Sequence, residues 1–353
     1  MSTVAVALSG GVDSAVAALV MKEGGDEVLG LTMRLWTVPE GEVEGGCCTL
    51  DDVYDARAIA RALDIRHYVI DETKEFRDAV VQPFFQDYQK GRTPSPCIQC
   101  NNVLKFERLV RLARNAGADR LATGHYARID GPPGRRRLLA GHDPARDQSY
   151  FLFGISSEVL DYLVFPVGDL PKSEVRARAF DAKIPVARKP DSQDLCFLAG
   201  TNVRDFLVSE GAELERGEIV DTSGAVVGQH DGIFQFTIGQ RKGLGIASGR
   251  PMYVVDIVPE ENRVILGSSE DLLRQELVAR ACRWLRMPSK GAQVQVRIRH
   301  RAPAAPATIE DISRTTMKVH FDEAVRAITP GQAAVVYDGD EVLGGGWIER
   351  SPR

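Results

Sequence analysis

Ser9-Gly10-Gly11-Val12-Asp13-Ser14 joins an apolar stretch, Val4 to Leu8, to a helical pattern that begins at once. Two glycines let the backbone turn tightly and come close to a ligand. The N–H groups and the dipole of the following helix then favour a phosphate at this turn. The spacing fits neither a Walker A loop nor the Gly-x-Gly-x-x-Gly of dinucleotide folds. The order strand, glycine turn, helix therefore predicts a phosphate site, with a plain structural turn as the alternative.

The rest of the first half alternates strands and helices, which predicts a doubly wound parallel sheet covered on both faces. We expect strands at 28–33 and 67–70, a helix opened by Thr49, a helix split at Pro83 and another capped by Asn101. After about residue 202, short β-rich runs such as 234–238, 252–257 and 263–266 take over. The prediction is an α/β domain over 1–200, a small central β-rich domain over 201–268 and a C-terminal β-barrel over 269–353.

The composition is that of a globular protein without a membrane segment. The 353 residues include no apolar run long enough for a membrane helix and no leader pattern, and the six cysteines favour a reduced, cytoplasmic protein. The net charge of −5 argues against a nucleic-acid partner. Locally, however, residues 135–137 are all arginine, and Arg297, Arg299 and Arg301 alternate along a predicted strand at 294–299. Such a row fits either a solvated strand face or a strand laid along RNA.

Further motifs follow one another from the first strand to nearly the last residue. They are Thr93-Pro94-Ser95-Pro96, Cys100-Asn101, Lys105-Phe106, Ala122-Thr123-Gly124-His125-Tyr126, Asp147-Gln148-Ser149-Tyr150-Phe151-Leu152, Asp191-Ser192, Cys196-Phe197, Thr237-Ile238-Gly239-Gln240-Arg241-Lys242-Gly243-Leu244-Gly245, Pro330-Gly331-Gln332 and Leu343-Gly344-Gly345-Gly346. In this order they resemble the motifs of the tRNA-specific 2-thiouridylases. The opening turn is similar to the SGGxDS loop of the ATP pyrophosphatases (the PP-loop), which cleave ATP to AMP and pyrophosphate.

The resemblance implies an enzyme that makes 2-thiouridine at the wobble position of the tRNAs for Lys, Glu and Gln. The base carbonyl would be adenylated in the domain 1–200 and its oxygen replaced by sulfur. Asp13 would act in catalysis and help hold Mg²⁺ on ATP. The ATP-binding residues implied are Ala7, Leu8, Ser9, Gly10, Gly11, Val12, Asp13, Ser14, Met33 and Gly124. Taken alone, Met33 would be a core residue at a strand end.

The resemblance also assigns the sulfur chemistry to two cysteines. Cys196 would carry a persulfide and Cys100 would attack its sulfur–sulfur bond. Cys97 departs from the family, because many members have Asp there, and it creates a Cys-x-x-Cys pair. Cys97, Cys100 and Cys196 are therefore candidate ligands of an iron–sulfur cluster with one open iron. The persulfide and cluster routes both stay open. Zinc lacks an evident fourth ligand, and a redox dithiol is a further reading.

The positions that match family contacts to tRNA lie in both halves of the chain. They are Ser95, Pro96, Cys97, His125, Arg146, Asp147, Gln148, Arg299, His300 and Gln332. The amide of Gln148 suits a uracil edge, and the target base must be splayed out to be reached. Alone, His125 would be read as a structural histidine. The implied partners are tRNA and a sulfur-donor protein.

Two rival functions stay open at this point. One is another PP-loop ligase or synthetase, although such enzymes lack the paired cysteines. The other is a non-catalytic RNA-binding protein that holds ATP as a structural ligand, although such a protein needs neither Asp13 nor paired thiols. The loop 39–46 is expected near the active site, with Cys47 and Cys48 incidental or relaying sulfur, and Cys282 is expected in a core.

Overall fold

The computed structural model describes residues 2–36, 50–191, 195–198, 200–246 and 249–350. The predicted loop 39–46, Cys47, Cys48 and the expected cap Thr49 lie outside these ranges. The chain divides into two compact units. Unit 1 comprises Met1–Val81, Pro96–Gly200 and Asp340–Val342, and unit 2 comprises Gln82–Ser95, Thr201–Gly339 and Leu343–Arg353. The division of the sequence at residues 200 and 268 stays a prediction.

The strands of the described residues are β1 Thr3–Ala7, β2 Glu27–Arg34, β3 Arg66–Asp71, β4 Arg120–Ala122, β5 Ala127–Asp130, β6 Arg137–Ala140, β7 Leu163–Val164, β8 Gly217–Asp221, β9 Val226–His230, β10 Tyr253–Val258, β11 Arg263–Gly267, β12 Leu273–Trp284, β13 Gln293–Arg297, β14 Ala305–Ile312, β15 Thr316–Arg326, β16 Ala333–Asp338 and β17 Glu341–Ile348.

The helices are α1 Val12–Glu23, α2 Leu50–Ala62, α3 Thr73–Phe76, α4 Gln82–Gln89, α5 Pro96–Gln99, α6 Leu109–Asn115, α7 Ser157–Leu160, α8 Lys172–Asp181 and α9 Val203–Ser209. π-Helical turns span Arg77–Val81 and Cys100–Arg108, and 3₁₀ turns span Ser149–Leu152, Ile233–Gln235, Pro259–Glu261 and Glu270–Leu272. None of the helices in the described ranges is long and apolar enough to cross a membrane.

Unit 1 is built on a parallel sheet in the strand order β3-β2-β1-β4-β7. The middle of β1, Val4 to Val6, is fully buried, as expected for a parallel strand covered on both faces. Apolar residues of α1 and α8 pack with those of β1 in one core. The α/β class is confirmed. Because β1 and β4 are adjacent and parallel, the residues that follow them meet at one edge of the sheet.

Two expectations for the helices between residues 73 and 115, the split at Pro83 and the cap at Asn101, can be compared with the structure. The helix continues past Pro83, and the change in its hydrogen bonding lies just before the proline, as the π-helical turn Arg77–Val81 that leads into α4. The expected cap at Asn101 is wrong. The helix already begins at Pro96, and Asn101 lies inside the π-helical turn with its side chain buried. Proline suits the first helical position, so the signal for the helix start was Pro96.

Unit 2 holds a four-stranded sheet, β10-β11-β8-β9, and a barrel ordered β12-β15-β14-β13-β16-β17 that β12 closes by pairing with β17. The predicted strand at 234–238 is wrong, because a 3₁₀ turn spans Ile233–Gln235 and brings Ile233 and Phe236 into one core. A strand would alternate them between faces. The predicted strand at 294–299 stops at Arg297, so the arginine row does not continue along one strand face.

Candidate functional site

The glycine turn after β1 is held by close backbone approaches. Gly10 has a φ of +72°, and a Cβ there would come within 2.5 Å of the Asp52 carbonyl oxygen. A Cβ on Gly124, which follows β4, would lie 2.6 Å from the Ser14 nitrogen. The Ser14 hydroxyl accepts a hydrogen bond from the Ser9 N–H at 3.2 Å and donates to the Gly11 carbonyl at 3.0 Å. Both glycines are therefore required by geometry.

Asp13, in the first turn of α1, is the acidic group of this turn. Its Oδ1 accepts a 2.6 Å ion-paired hydrogen bond from Lys172 Nζ and a 2.8 Å hydrogen bond from the Tyr126 hydroxyl. Burial, followed by the Asp13 charge, raises the pKa of Tyr126, so its phenol stays protonated and donates. Lys172 is only 8% exposed. Its ammonium therefore depends on carboxylate partners for its stability.

Asp191 is the second ion-pair partner of Lys172 and also pairs with two arginines. Its carboxylate lies 2.8 Å from Lys172 Nζ, 2.8 Å from Arg176 and 2.9 Å from Arg146. Burial alone would raise the pKa of Asp191, but Lys172, then Arg176 and Arg146, lower it overall. Three cations share two carboxylates, so the cluster has a positive excess beside the glycine turn. That balance suits a polyphosphate ligand.

Lys189 ties the glycine turn to α2. Its Nζ donates to Asp52 at 2.7 Å, to Asp55 at 2.6 Å and to the Gly10 carbonyl at 3.3 Å. Burial would lower the pKa of Lys189, but the two carboxylates raise it, so this cation stays charged. The backbone of the turn is therefore anchored from one side by a charged group.

A cavity of about 170 Å³ in unit 1 brings the three candidate cysteines together. Cys97 is exposed, Cys100 is buried and Cys196 is partly exposed. Cys97 lies in α5 and Cys100 begins the π-helical turn. Cys196 is fixed by its neighbour Phe197, whose ring packs edge-on against Phe76 at 5.9 Å. Residues about a hundred positions apart in sequence therefore line one space.

The polar wall of the cavity carries His125 and Gln148. Desolvation, followed by the charge of Lys105, lowers the pKa of His125 to about 3, so the imidazole is neutral. Its Nδ1 is 2.7 Å from the Thr123 hydroxyl. Gln148 Oε1 accepts the Tyr126 N–H at 2.9 Å. The cavity therefore has neutral hydrogen-bonding groups on His125 and Gln148 beside the cysteines, together with the cationic Lys105.

The comparison with known proteins gives one family over the whole chain. Residues 2–200 match the tRNA methyl transferase HUP domain, residues 204–268 the tRNA methyl transferase PRC-barrel domain, and residues 274–348 the Aminomethyltransferase beta-barrel domain. A Moorella thermoacetica protein named tRNA-specific 2-thiouridylase MnmA is 47% identical, over 98% of this chain and 98% of that protein. Its namesake from Solibacter usitatus is 46% identical, over 98% of this chain and 99% of that protein.

The chain belongs to the tRNA-specific 2-thiouridylase family. The family predicted from the motifs is thereby confirmed. Among solved structures, an RNA complex of a 4-thiouridine synthetase with bound ATP is similar over 59% of this chain and 50% of that one. Its identity is 19% and its TM-score 0.37, too low to bear on function.

Several residues that the 2-thiouridylase motifs single out for tRNA have defined partners inside their own unit. Arg146 pairs with Asp191, and Asp147 accepts the backbone N–H groups of Gly141 and Ser149 at 3.0 Å. In unit 2, the Arg299 guanidinium donates to the Ile238 carbonyl at 2.8 Å. These contacts give each side chain a structural role, and their tRNA contacts stay predictions.

The other predicted positions are placed as follows. Met33 is buried in β2 and Ala7 ends β1. Pro96 lies with Cys97 in α5 of unit 1, whereas Ser95 belongs to unit 2. Gln332 Nε2 donates to the Thr93 carbonyl at 2.8 Å within unit 2, and His300 is partly exposed there. Cys282 is buried in the barrel core, as expected, and burial raises the pKa of its thiol to about 12.

The motifs of the 2-thiouridylases did not point to Lys172, Arg176 or Lys189 as site residues. The sequence did contain one signal for Lys172. This lysine follows Pro171 at the start of a helix, where the helix dipole disfavours a cation. A lysine in that first turn needs a carboxylate partner elsewhere in the fold, and Asp13 and Asp191 supply it.

A group of side chains of the types that can ligate a metal lies on the barrel. Within the described ranges, Glu276, Glu310 and His320 are the one such group of three whose ligand atoms all lie within 4.8 Å of each other. Lys318 Nζ is 3.0 Å from Glu276 and 2.8 Å from Glu310, so the two carboxylates already share a cation. We read this cluster as a surface ion-pair network.

Proposed function

We propose that this chain transfers sulfur to the wobble uridine of tRNA in an ATP-dependent reaction that yields 2-thiouridine. The observation that carries the proposal is the cavity in unit 1, where Cys97, Cys100 and Cys196 lie beside neutral polar side chains. The same unit holds the glycine turn and its cation cluster. A PP-loop ligase without sulfur chemistry has no use for the three cysteines.

The first step is activation of the base. The uridine O2 attacks the α-phosphate of ATP, pyrophosphate leaves, and the base carries an adenylate. The N–H groups at the start of α1 would bind the phosphates, while Lys172 and Arg176 stabilise the charge on the leaving pyrophosphate. Asp191 holds both cations in place for this role.

Magnesium fits this site through Asp13. Both hydrogen bonds to Asp13 go to Oδ1, and Mg²⁺ usually takes one or two carboxylates together with substrate phosphates and water. Asp13 would hold the ion with the phosphates of ATP. When bound, Mg²⁺ neutralises phosphate charge.

The second step delivers sulfur. The terminal sulfur of a Cys196 persulfide attacks C2 of the activated base, and Cys100 thiolate attacks the sulfur of Cys196. The sulfur–sulfur bond of the persulfide breaks, AMP leaves, and a Cys100–Cys196 disulfide remains. A thiol reductant supplies two electrons to restore both thiols. A sulfur-donor protein would reload Cys196, which is partly exposed.

Cys97 keeps a second sulfur route open. Zinc ligands at about 2.3 Å from one ion lie roughly 4 Å apart. In the part of the chain that the structure describes, the three cysteines do not form a group within 4.8 Å, so a single zinc ion does not fit them as placed. An iron–sulfur cluster is larger, and three thiolates at one cavity suit it.

Iron and acid-labile sulfide analysis after anaerobic purification separates the two routes. Stoichiometric iron and sulfide that are lost in Cys97→Asp would support the cluster. No iron, with thiolation retained in Cys97→Asp, would support the persulfide on Cys196.

The function itself is tested with purified protein, ATP, a persulfide donor, a thiol reductant and tRNA. We expect tRNA-dependent pyrophosphate release and a nucleoside whose mass shows oxygen replaced by sulfur. Cys196→Ser should keep pyrophosphate release and lose the thionucleoside. A methylated nucleoside, which mass spectrometry distinguishes, would contradict the proposal. So would tight binding of ATP and tRNA without any pyrophosphate release.

A further inference from the structure

The cavity wall contains a buried hydrogen-bond acceptor without a partner. Asn101 lies in the π-helical turn next to Cys100, is 3% exposed and lines the cavity. Its Nδ2 donates to the Phe151 carbonyl at 3.2 Å, which sets the orientation of the amide. Its Oδ1 has no hydrogen-bond partner among the described residues. Since buried acceptors are nearly always paired, this oxygen needs an explanation.

A hydrogen-bond donor lies on the same wall of the cavity. Gln148 also lines the cavity, and its Oε1 already accepts the Tyr126 N–H at 2.9 Å. What the Gln148 amide offers a ligand is therefore its NH₂ group. The wall presents an acceptor from Asn101 and a donor from Gln148, and the adjacent His125 is neutral. Neither of these two side chains adds charge, although Lys105 also lines the cavity and brings a cation to it.

Uracil has the complementary pattern. Its edge carries the O2 acceptor, the N3–H donor and the O4 acceptor in a row. Cytosine differs at the two decisive positions, because its N3 is an acceptor and its exocyclic amine is a donor. An acceptor fixed by the protein therefore pairs with N3–H of uracil and repels N3 of cytosine, as buried polar groups discriminate strongly when left unpaired.

We propose that Asn101 Oδ1 accepts the N3–H of the target uridine and makes the cavity selective for uracil over cytosine. This inference rests on the proposed function. Asn101 determines specificity, while the cysteines carry the sulfur. Because Oδ1 is shielded in the ligand-free chain, entry of the base has to open this part of the wall.

The test is a cycle of protein and base changes. Anticodon stem-loop RNAs carry either uridine or 3-deazauridine at the wobble position, and the second base replaces N3–H with an isosteric C–H. Affinity is measured for the wild type and for Asn101→Leu. We expect the deaza base to weaken wild-type binding about tenfold. Asn101→Leu should weaken uridine binding by a similar factor and bind the two RNAs equally.

Asn102→Leu is the matched control. Asn102 is the next residue of the same turn, is 7% exposed and has an unpartnered Oδ1, but it packs against Gly154 and is not part of the cavity lining. This variant should keep the tenfold preference for uridine. If Asn101→Leu does not fold, Asn101→Ser removes the same oxygen with a smaller change.

Three results would overturn the inference: equal wild-type binding of both RNAs, a uridine preference that persists in the folded Asn101 variants, or its loss in Asn102→Leu alone. The proposed function is judged separately. If the wild type binds the uridine stem-loop but forms no thionucleoside, the proposed function fails whatever the variants show. If thiolation proceeds without selection at N3, only the role of Asn101 fails.

Discussion

At the scale of single residues, the cluster around Lys172 depends on how buried charges are shared. Asp13 and Asp191 both reach Lys172, which is almost fully buried. Removing one member of such a buried pair leaves the others uncompensated. The cluster therefore has little tolerance for loss of the cation.

We expect Lys172→Met to lower the rate of pyrophosphate release about a hundredfold or more, because a cation that meets phosphate charge is lost. Stopped assays of pyrophosphate with tRNA present measure the effect. Lys74→Met, at an exposed position of α3, serves as control and should match the wild type. A Lys172→Met enzyme with an unchanged rate would show that this lysine does not act on the phosphates.

The low pKa of His125 leads to a second prediction, which concerns how the stability of the folded chain changes with pH. Its pKa is about 3 in the folded chain against an ordinary 6.5. Between these values the unfolded chain binds the proton and the folded chain does not, so stability falls as pH drops from about 6.5 towards 3. His125→Gln should show a shallower fall in the urea midpoint across this window. His142→Gln, at an exposed site, should keep the wild-type slope. Equal slopes for all three proteins would contradict the prediction.

At the scale of elements, the π-helical turn Cys100–Arg108 places two side chains of the candidate site. It carries Cys100 and Asn101 at one end and Arg108 at the other. Arg108 is ion-paired with Glu72, whose carboxylate is 1% exposed, and lies 3.4 Å from Glu75. π-Helical turns are rare and occur mostly at functional sites. Here an ion pair between the partly exposed Arg108 and the buried Glu72 carboxylate fixes the end of the turn.

Substitution of Arg108 tests how much its ion pair with Glu72 contributes to the stability of the fold. Arg108→Met leaves the Glu72 carboxylate buried without its cation, so we expect a loss of about 1–3 kcal/mol in the free energy of unfolding. The double variant Glu72→Gln/Arg108→Met removes the charge as well and should be more stable than Arg108→Met alone. Denaturant unfolding of the three proteins measures this order. A double variant less stable than Arg108→Met would contradict it.

At the scale of the whole molecule, many arginines are already paired with acidic groups. Arg137 is ion-paired with Asp130, and Arg136 lies 3.8 Å from Asp161. Together with a net charge of −5, this leaves few cations for phosphate contacts. Recognition of RNA should then depend more on specific contacts than on bulk charge.

The salt dependence of tRNA binding tests this charge distribution. We expect log Kd to rise with log salt concentration with a slope of about 2 to 4, which corresponds to a handful of phosphate contacts. Arg137→Gln should leave the slope unchanged, because Asp130 already compensates this arginine. A slope near 10, as for strongly basic binders, would contradict the prediction.

The amino-acid sequence by itself determined the α/β class, the glycine turn between β1 and α1, and the family. These rest on local order: apolar β1, two glycines and a helix follow one another directly, and the family motifs are contiguous. The close backbone approach at Gly10 could be predicted for the same reason, since glycine permits it, whereas the approach at Gly124 was shown only by the structure.

Only the tertiary structure decided which side chains pair with each other in the candidate site and where several helices and strands begin or end. Lys172 meets Asp13 across 159 residues, and no local pattern encodes such a contact. Asn101 resembled a helix cap because its amide suits that position, but packing placed it inside a π-helical turn on the cavity wall. The arginine row ended at Arg297 because Arg299 bonds to carbonyls of other segments. Long-range packing and buried charges override local preference, since their free energies exceed those of helix capping and strand propensity.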